Sequence, residues 1–473
     1  MQEIDTFYVD GRFATSHGRA RLALVNPATE DVLGHVLLGD AHDALAAVAS
    51  ARRAQDAFAR TTPAERIGML KRLHAALLRH GDALRDATIE EYGGPVTRSA
   101  WVAAFAASTF LDAAHTLEGF AFERTAGDST VRLEPVGISV LITPWNSNAG
   151  SICSKLAMAI AAGCTSVVKP SELSALQTRV VAQAIHEAGL PPGVVNILNG
   201  RGDVVGSTLC QHPDVARISF TGSNGTGLAI ARLAIESMKR LSLGLGGKSP
   251  TLVLADADFT RAIPAAVNAA FQNSGQACIA GSRLLVPRHR LQEAEALIAR
   301  HVAQLRVGPP DDPDTVIGPM ATHAHWQRVQ GYIRAGLDEG ARLLAGGLHR
   351  PEGLQKGYFV RPTVFTDVHN GMTIAREEIF GPVLCVIPFD DENEAVHIAN
   401  DSPYGLHAYV FSGDQARALA IAGRLQAGRV AINGFRHDPL APFGGYKASG
   451  IGREYGSAGL ESFLETKAIL QVA

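Results

Sequence analysis

A chain of 473 residues with 46% hydrophobic side chains holds enough apolar material for about two to three domains with cores of their own, which excludes a fibrous or disordered protein. The 43 basic and 46 acidic residues leave a formal charge of -3, so no broad field exists to attract nucleic acid or an acidic membrane, and small-molecule partners fit better. Five cysteines, Cys153, Cys164, Cys210, Cys278 and Cys385, are an odd number without a C-x-x-C pair, which argues against zinc or a redox dithiol and for a reducing compartment.

The amino-terminal MQEIDTFYVDGRF is polar and acidic and carries no signal or transit pattern. The long apolar stretches are broken by Lys, Pro or Gly within helix length, so the expectation is a cytoplasmic protein with no membrane contact. Residues 40 to 94 read as two amphipathic helices, the second opening on the capping box Thr62-Pro63-Ala64-Glu65 and the stretch ending at Gly93-Gly94-Pro95. Residues 119 to 137, with Gly127-Asp128-Ser129 at the centre, read as a hairpin. From 138 short β-branched runs alternate with helical patterns: ISVLIT, a helix to about 162, TSVVK, a helix from 173, VVNIL, a short helix and RISF. That rhythm predicts βαβ units in a doubly wound sheet, with ligands beyond the strands' carboxyl ends. A second α/β rhythm starts at TLVLAD and a helix through Phe271, then runs through SRLLVP, PVLCVIPF and AYVFSG, and the tail ESFLETKAILQV supplies a further strand.

Several constellations can carry chemistry, each with a plainer alternative. Lys169-Pro170-Ser171-Glu172 follows a strand and sets a cation and a carboxylate within reach of ribose hydroxyls; it is equally a surface turn with a capping serine. The turn Phe220 to Gly227 contains Gly222 and Ser223 and opens a helix, so it can hold a pyrophosphate or simply connect two elements. Cys278, after Asn273-Ser274-Gly275-Gln276-Ala277, is a candidate nucleophile or a small buried residue. Asn146 can donate to an oxyanion, an interaction typically worth roughly 3 kcal/mol of barrier, or cap the following helix. Glu377-Glu378-Ile379-Phe380 offers a ribose contact and a flat ring, or an ordinary acidic end.

Taken together and in this order, TPWN (143–146), KPSE (169–172), FTGS (220–223), LGGKSP (245–250), GQAC (275–278), EEIFGPV (377–383) and PFGGYKASGIGRE (442–454) resemble the aldehyde dehydrogenase superfamily. The match runs from Val25-Asn26-Pro27-Ala28-Thr29 to Gly452-Arg453-Glu454. The resemblance implies an α/β fold with a Rossmann-like dinucleotide-binding domain (1–118 and 138–245), a second α/β catalytic domain (246–446), and a small β arm joining subunits (119–137 and 447–473), in a homodimer or homotetramer. It implies Cys278 as nucleophile, with Asn146 and the Cys278 main-chain amide as oxyanion donors. Lys169 and Glu172 would hold the adenine ribose, Ser223 the pyrophosphate, and Glu378 with Phe380 the nicotinamide ribose and ring; Ile142, Thr143, Pro144, Trp145, Ser171, Gly222, Leu245 and Gly246 complete the implied cofactor contacts. A carboxylate at Glu172 repels an added phosphate, which favours NAD, with NADP as the alternative. Ser147, Gly150, Ser151, Ser154, Ala277, Ile279 and Phe443 would line the passage for an aldehyde substrate.

One departure stands out. The family's water-activating glutamate precedes GGKSP, and this chain has Gly244 there; a second carboxylate position after the GRE motif is Ser457. Three readings follow: hydrolysis continues with water relayed through Lys155, coenzyme A accepts the acyl group, or the chain is a weakly active, NAD-binding scaffold. The small residues at 147, 150, 151 and 154 predict a roomy entrance for an aromatic, branched or long aldehyde. Arg436 and His437 favour an anionic semialdehyde unless they are solvated loop residues. His323 and His325 read as a solvated helix start, and no catalytic metal is expected.

Overall fold

The computed structural model describes residues 2–470; Met1 and residues 471–473, the end of the expected arm, lie outside them. The largest sheet has eight strands. Its centre is parallel, in the spatial order Arg240–Gly244, Val215–Thr221, Ile138–Ile142, Ser166–Lys169, Val195–Ile197. Ile138–Ile142 and Ser166–Lys169 are buried at every position, as strands covered by helices on both faces must be, which is why they read as unbroken apolar runs. The chain moves outward from 138 to 195 and then returns to the other side of Ile138–Ile142. Strand order therefore reverses between Ile138–Ile142 and Val215–Thr221, the point at which open α/β sheets offer a crevice above the strands' carboxyl ends.

A seven-stranded sheet follows, ordered Arg342–Ala345, Thr363–Thr366, Val383–Phe389, Arg283–Pro287, Pro250–Val253, His407–Phe411, Arg429–Ile432, parallel except at the first pair. Glu123–Ala126 and Ser129–Pro135 form the hairpin, turning through Gly127 at φ +58, and Leu464–Ile469 pairs with its second strand. The structure adds strands that weak alternation hid: Gln2–Ile4, Ala20–Val25 and Val32–Leu38 make a separate sheet, and Thr6–Val9 with Arg12–Thr15 extends the large one. Gly450–Ile451, within the expected arm, instead pairs with Arg240–Gly244 at the opposite edge of the large sheet.

The helix Pro63–Arg79 carries its capping box on Thr62 and Glu65. Three α-segments rather than two fill residues 40 to 94, Ala41–Phe58, Pro63–Arg79 and Gly81–Ala87, followed by a π-helical turn, Thr88–Tyr92, that Gly93 ends at φ +77. Within that turn Glu91 is buried and accepts from Leu176 N (2.7 Å) and Gln177 N (2.8 Å), capping the helix Ala175–Ala188 from another part of the chain. The helix Asn148–Ala162 is buried almost all round. Its first turn must be small, because a Cβ on Gly150 would lie 2.8 Å from the Phe105 ring of the neighbouring helix Val102–Glu118. No described helix is long and apolar enough to cross a membrane.

Replacing Glu91 with Ala leaves two buried N–H groups without their acceptor and is expected to cost roughly 1–3 kcal/mol. Thermal unfolding followed by circular dichroism checks this; an unchanged midpoint would show that the cap contributes nothing.

Candidate active site

The helix Phe259–Phe271 gives way to a turn in which Asn273 (φ 54), Ser274 (φ 57) and Gly275 (φ 74) all occupy the left-handed region. For the two non-glycine residues this conformation persists only where surrounding contacts over-determine it, and here they do. Ser274 Oγ accepts from Gly318 N (2.9 Å), and Asn273 Nδ2 donates to Asn146 O (3.2 Å) and Gln276 O (3.0 Å). The buried Gln276 amide donates to Pro319 O (3.2 Å) and accepts from Ala321 N (3.0 Å). At Gly275 a Cβ would collide with the backbone of Gly381.

This turn delivers Cys278 to a cavity of about 600 Å³. Cys278 is partly exposed there, whereas the other four cysteines are buried. Desolvation, then the Glu378 carboxylate, pushes its thiol up to about 12, with Glu454 adding to the rise, although the main-chain amides of Cys278 and Ile279 face the sulfur and pull the other way. Asn146 lines the same cavity and donates from Nδ2 to Gln276 O (2.8 Å), which fixes its amide beside the cysteine turn and leaves its second hydrogen uncommitted. It does not cap the following helix, whose N-cap is Ser147.

Ser147, Gly150, Ser151, Ser154, Ala277, Ile279 and Phe443 all line the cavity. Lys155 lies behind them, buried, and donates to Ser219 Oγ (3.0 Å) and to Glu454 Oε1. Glu454, read from sequence only as the end of a motif, also lines the cavity, so a carboxylate is present where none was expected. Ser457 is exposed on the surface, which makes it the wrong position to search. Gly244 lies in register with Thr221, another cavity residue; a Cβ there would meet Thr221 Oγ1 at 3.3 Å.

The crevice at the strand reversal gathers the expected cofactor residues unevenly. Lys169 is buried, and its ammonium already donates to Gly200 O (2.7 Å), Pro170 O (2.9 Å) and Glu172 Oε2 (3.4 Å). Glu172 is one-third exposed and is the freer of the pair. Ser171 and Ser223 cap Glu172–Ser174 and Asn224–Ile235 respectively; Ser223 is exposed, and the space beside Gly225 in that helix's first turn is open. An exposed helix N-terminus with unfilled space beside its backbone suits a pyrophosphate, so the residues present fit a dinucleotide. Gly222 donates its N–H to Gly244 O (3.1 Å). Glu378 accepts from Gly247 N (2.9 Å) and fills the space next to Gly246. Phe380, at φ 62, sets its ring edge-on to Trp145 at 5.4 Å. Pro144 lines the cavity, and Thr143 is buried with its hydroxyl on Asn148 Oδ1 (3.3 Å). Ile142 and Leu245 depart from expectation: both side chains sit in the apolar core, leaving only their main chain for a ligand. His325 does too, because it is not solvated; its ring meets Trp145 at 5.4 Å and its Nε2 bonds Phe380 O at 2.7 Å.

The aldehyde dehydrogenase family model matches residues 13–469. The chain belongs to the aldehyde dehydrogenase family. It is 44% identical to a 3-succinoylsemialdehyde-pyridine dehydrogenase from a Pseudomonas species, over 99% of both chains. Among solved structures it is similar to a mutant of aldehyde dehydrogenase C from Pseudomonas syringae in complex with NAD+ and octanal (46% identity, TM-score 0.97, covering 98% of this chain and 96% of that one). It is also similar to a Mycobacterium tuberculosis aldehyde dehydrogenase complexed with NAD+ (38%, TM-score 0.95, 100% and 99%). This aldehyde dehydrogenase is thus an NAD(P)-dependent oxidoreductase acting on aldehydes. Sequence reasoning missed Tyr92, Trp101, Phe105, Phe435 and Tyr455, aromatic residues that line the cavity. They come from separate helices and loops and carry no local signal; Glu454, a charge inside a glycine-rich motif, did carry one.

With four cysteines buried, the cofactor-free dehydrogenase should take up iodoacetamide first at Cys278, as peptide mass spectrometry would show. Because the thiol is raised, the rate should climb about tenfold per pH unit from neutral to about pH 10. A plateau below pH 9 would contradict the high value.

Proposed function

We propose that this enzyme oxidises its aldehyde through a thioester on Cys278 and releases the acid with water activated by Glu454. The observation that supports this is the sharing of one cavity by the Cys278 thiol, the Asn146 amide and a Glu454 carboxylate held by Lys155. The Cys278 thiol gives its proton to water in the cavity, and the thiolate adds to the carbonyl carbon. The developing alkoxide accepts from the free Asn146 N–H and from the main-chain amide of Cys278. Glu172, Ser223 and Glu378 would hold NAD, which when bound would supply the acceptor for the hydride that leaves this carbon. Glu454 removes a proton from the water that attacks the thioester, and the carbon–sulfur bond breaks to release the acid and leave the Cys278 thiolate. Lys155 fixes the Glu454 carboxylate on the cavity wall, and Ser219 fixes Lys155.

A carboxylate in the cavity favours water over coenzyme A as acyl acceptor, and an accessible thiol speaks against a scaffold. The NAD+ complexes of similar enzymes support NAD, and the third of Glu172 that is exposed would meet a ribose phosphate with like charge. Its small first-turn residues and aromatic walls suit an extended apolar or aromatic aldehyde, in keeping with the octanal held by the Pseudomonas syringae relative. An anionic semialdehyde would meet Arg436, which is exposed and lines the cavity, whereas burial, then Arg429, lowers the pKa of His437, which packs neutral between Phe105 (5.5 Å) and Tyr455 (5.4 Å). The strand Glu123–Ala126, exposed throughout with one free edge, fits a homodimer or homotetramer joined through the arm, and free cysteines suit the cytoplasm.

The test is pre-steady-state NADH formation. Glu454→Gln should keep a burst of about one equivalent and lose about 10²- to 10⁴-fold in steady turnover; equal loss of burst and turnover would place Glu454 outside deacylation. Gly244→Glu should restore part of that turnover in the Glu454→Gln background, because Gly244 has ordinary backbone geometry and needs only a shift of the Thr221 hydroxyl. Glu172→Gln should raise kcat/KM with NADP relative to NAD by about tenfold, and an unchanged ratio would remove Glu172 from cofactor choice.

A further inference from the structure

The charged side chains on the wall of the 600 Å³ cavity that holds Cys278 are Arg98, Arg429, Arg436 and Glu454. The carboxylate of Glu454 is matched by Lys155 behind it, and the Arg429 guanidinium is spent on Pro442 O, Asp438 O and Ala441 O. Arg98 and Arg436 are different: both are exposed, and neither guanidinium has a hydrogen bond or an ion pair among the described residues. The chain as a whole has a formal charge of -3, so this positive excess is local to the cavity. A cleft lined by one sign of charge concentrates ligands of the other sign.

Arg98 lies in the short helix Val96–Ser99, and its carbonyl accepts from Trp101 N (3.0 Å), a residue 72% exposed on the cavity wall. Arg436 follows Phe435, another wall residue, 50% exposed. The two segments meet where the His437 ring stands edge-on to Phe105 at 5.5 Å, and Phe105 N in turn donates to Trp101 O (2.9 Å). Both arginines thus belong to the part of the wall most open to solvent, whereas the Cys278 thiol is strongly desolvated. Burial lowers the Arg98 pKa even though the residue is exposed, with Tyr92 pulling the other way; a side chain walled in by protein and open only toward a cavity behaves so. The guanidinium stays protonated, and its partial desolvation strengthens its attraction for an anion.

Resting on the catalytic reading above, we propose that Arg98, together with Arg436, determines substrate choice by holding a carboxylate at the far end of the molecule from the aldehyde carbon. The preferred substrate is then a semialdehyde whose extended apolar body ends in an anion. Phe105 and Phe443 give that body an apolar wall, and the planar guanidinium fork matches both oxygens of the carboxylate. An aldehyde of the same length without the anion leaves the two cations unpaired and gains only the apolar contact.

The experiment compares ω-oxo carboxylates of four to eight carbons with the unsubstituted aldehydes of the same carbon number, in the wild type, Arg98→Met, Arg436→Met and Arg98→Lys. At the best chain length the wild type should favour the anionic aldehyde by about tenfold or more in kcat/KM, and added salt should shrink that preference by screening the pair. Each Met substitution should cut the preference several-fold, chiefly through KM. Arg98→Lys, which keeps the charge without the fork, should retain part of it. Each ratio is taken within one variant, so a general loss of folding or chemistry cancels. The same ratio is read from calorimetric affinities in the Cys278→Ala background, so recognition is tested even if the chemistry assigned to Cys278 is wrong. A wild-type ratio of about one or less at every length, or a ratio that neither Met substitution changes, overturns the proposal; a change confined to one of them strikes the other arginine from it.

Discussion

The left-handed turn at residues 273–275 is the constraint on which the site depends. A cysteine after a helix and an alanine would ordinarily pack into a core; here three consecutive positive φ values break the helical path and turn the sulfur toward the cavity. The strain persists because the turn is bonded on several sides: to Asn146 above the large sheet, to Gly318 and Pro319 in a distant loop, and against Gly381 in the motif that carries Glu378 and Phe380. The residues that hold the turn thus include, or adjoin, those assigned to oxyanion and cofactor. A change in one is felt in the others, because a well-packed interior has no slack to absorb it.

A second dependence runs through Lys155. The pair it makes with Glu454 joins residues 299 positions apart, and Ser219, from a third segment, holds the ammonium from behind. On the proposed role of Glu454, this geometry lets the chain have glycine at 244. The carboxylate on the cavity wall comes from the segment whose strand Gly450–Ile451 pairs with Arg240–Gly244, so an acid reaches the cavity from the neighbouring strand's continuation rather than from the strand itself. The absence of a side chain at Gly244 keeps that approach open and adds room near Thr221.

The crevice, by contrast, was legible early. ISVLIT, TSVVK and RISF announce covered parallel strands, and the chemistry-bearing residues follow each of them directly, so strand ends and ligand residues come together by topology alone. The cavity walls were not legible in the same way. Trp101, Phe105, Phe435 and Tyr455 look like ordinary apolar positions, and His407 like a polar interruption of a strand; only the packing of the helix Val102–Glu118 against the helix Asn148–Ala162 and the return of the 435–455 segment bring them to one surface. His325 failed as a solvated residue for the same reason, since its environment is set by Trp145 and Phe380 rather than by its neighbours in sequence.

The amino-acid sequence alone determined the parallel-sheet architecture, the family and the nucleophile candidate, because strand burial, turn chemistry and motif order are local properties that side-chain pattern records directly. Which carboxylate faces the cavity, which amide hydrogen stays free, how a strained turn is held and which polar groups are left without partners are properties of distances between segments far apart in the chain. Those distances exist only once the sheets and helices have packed, and the tertiary structure decided them.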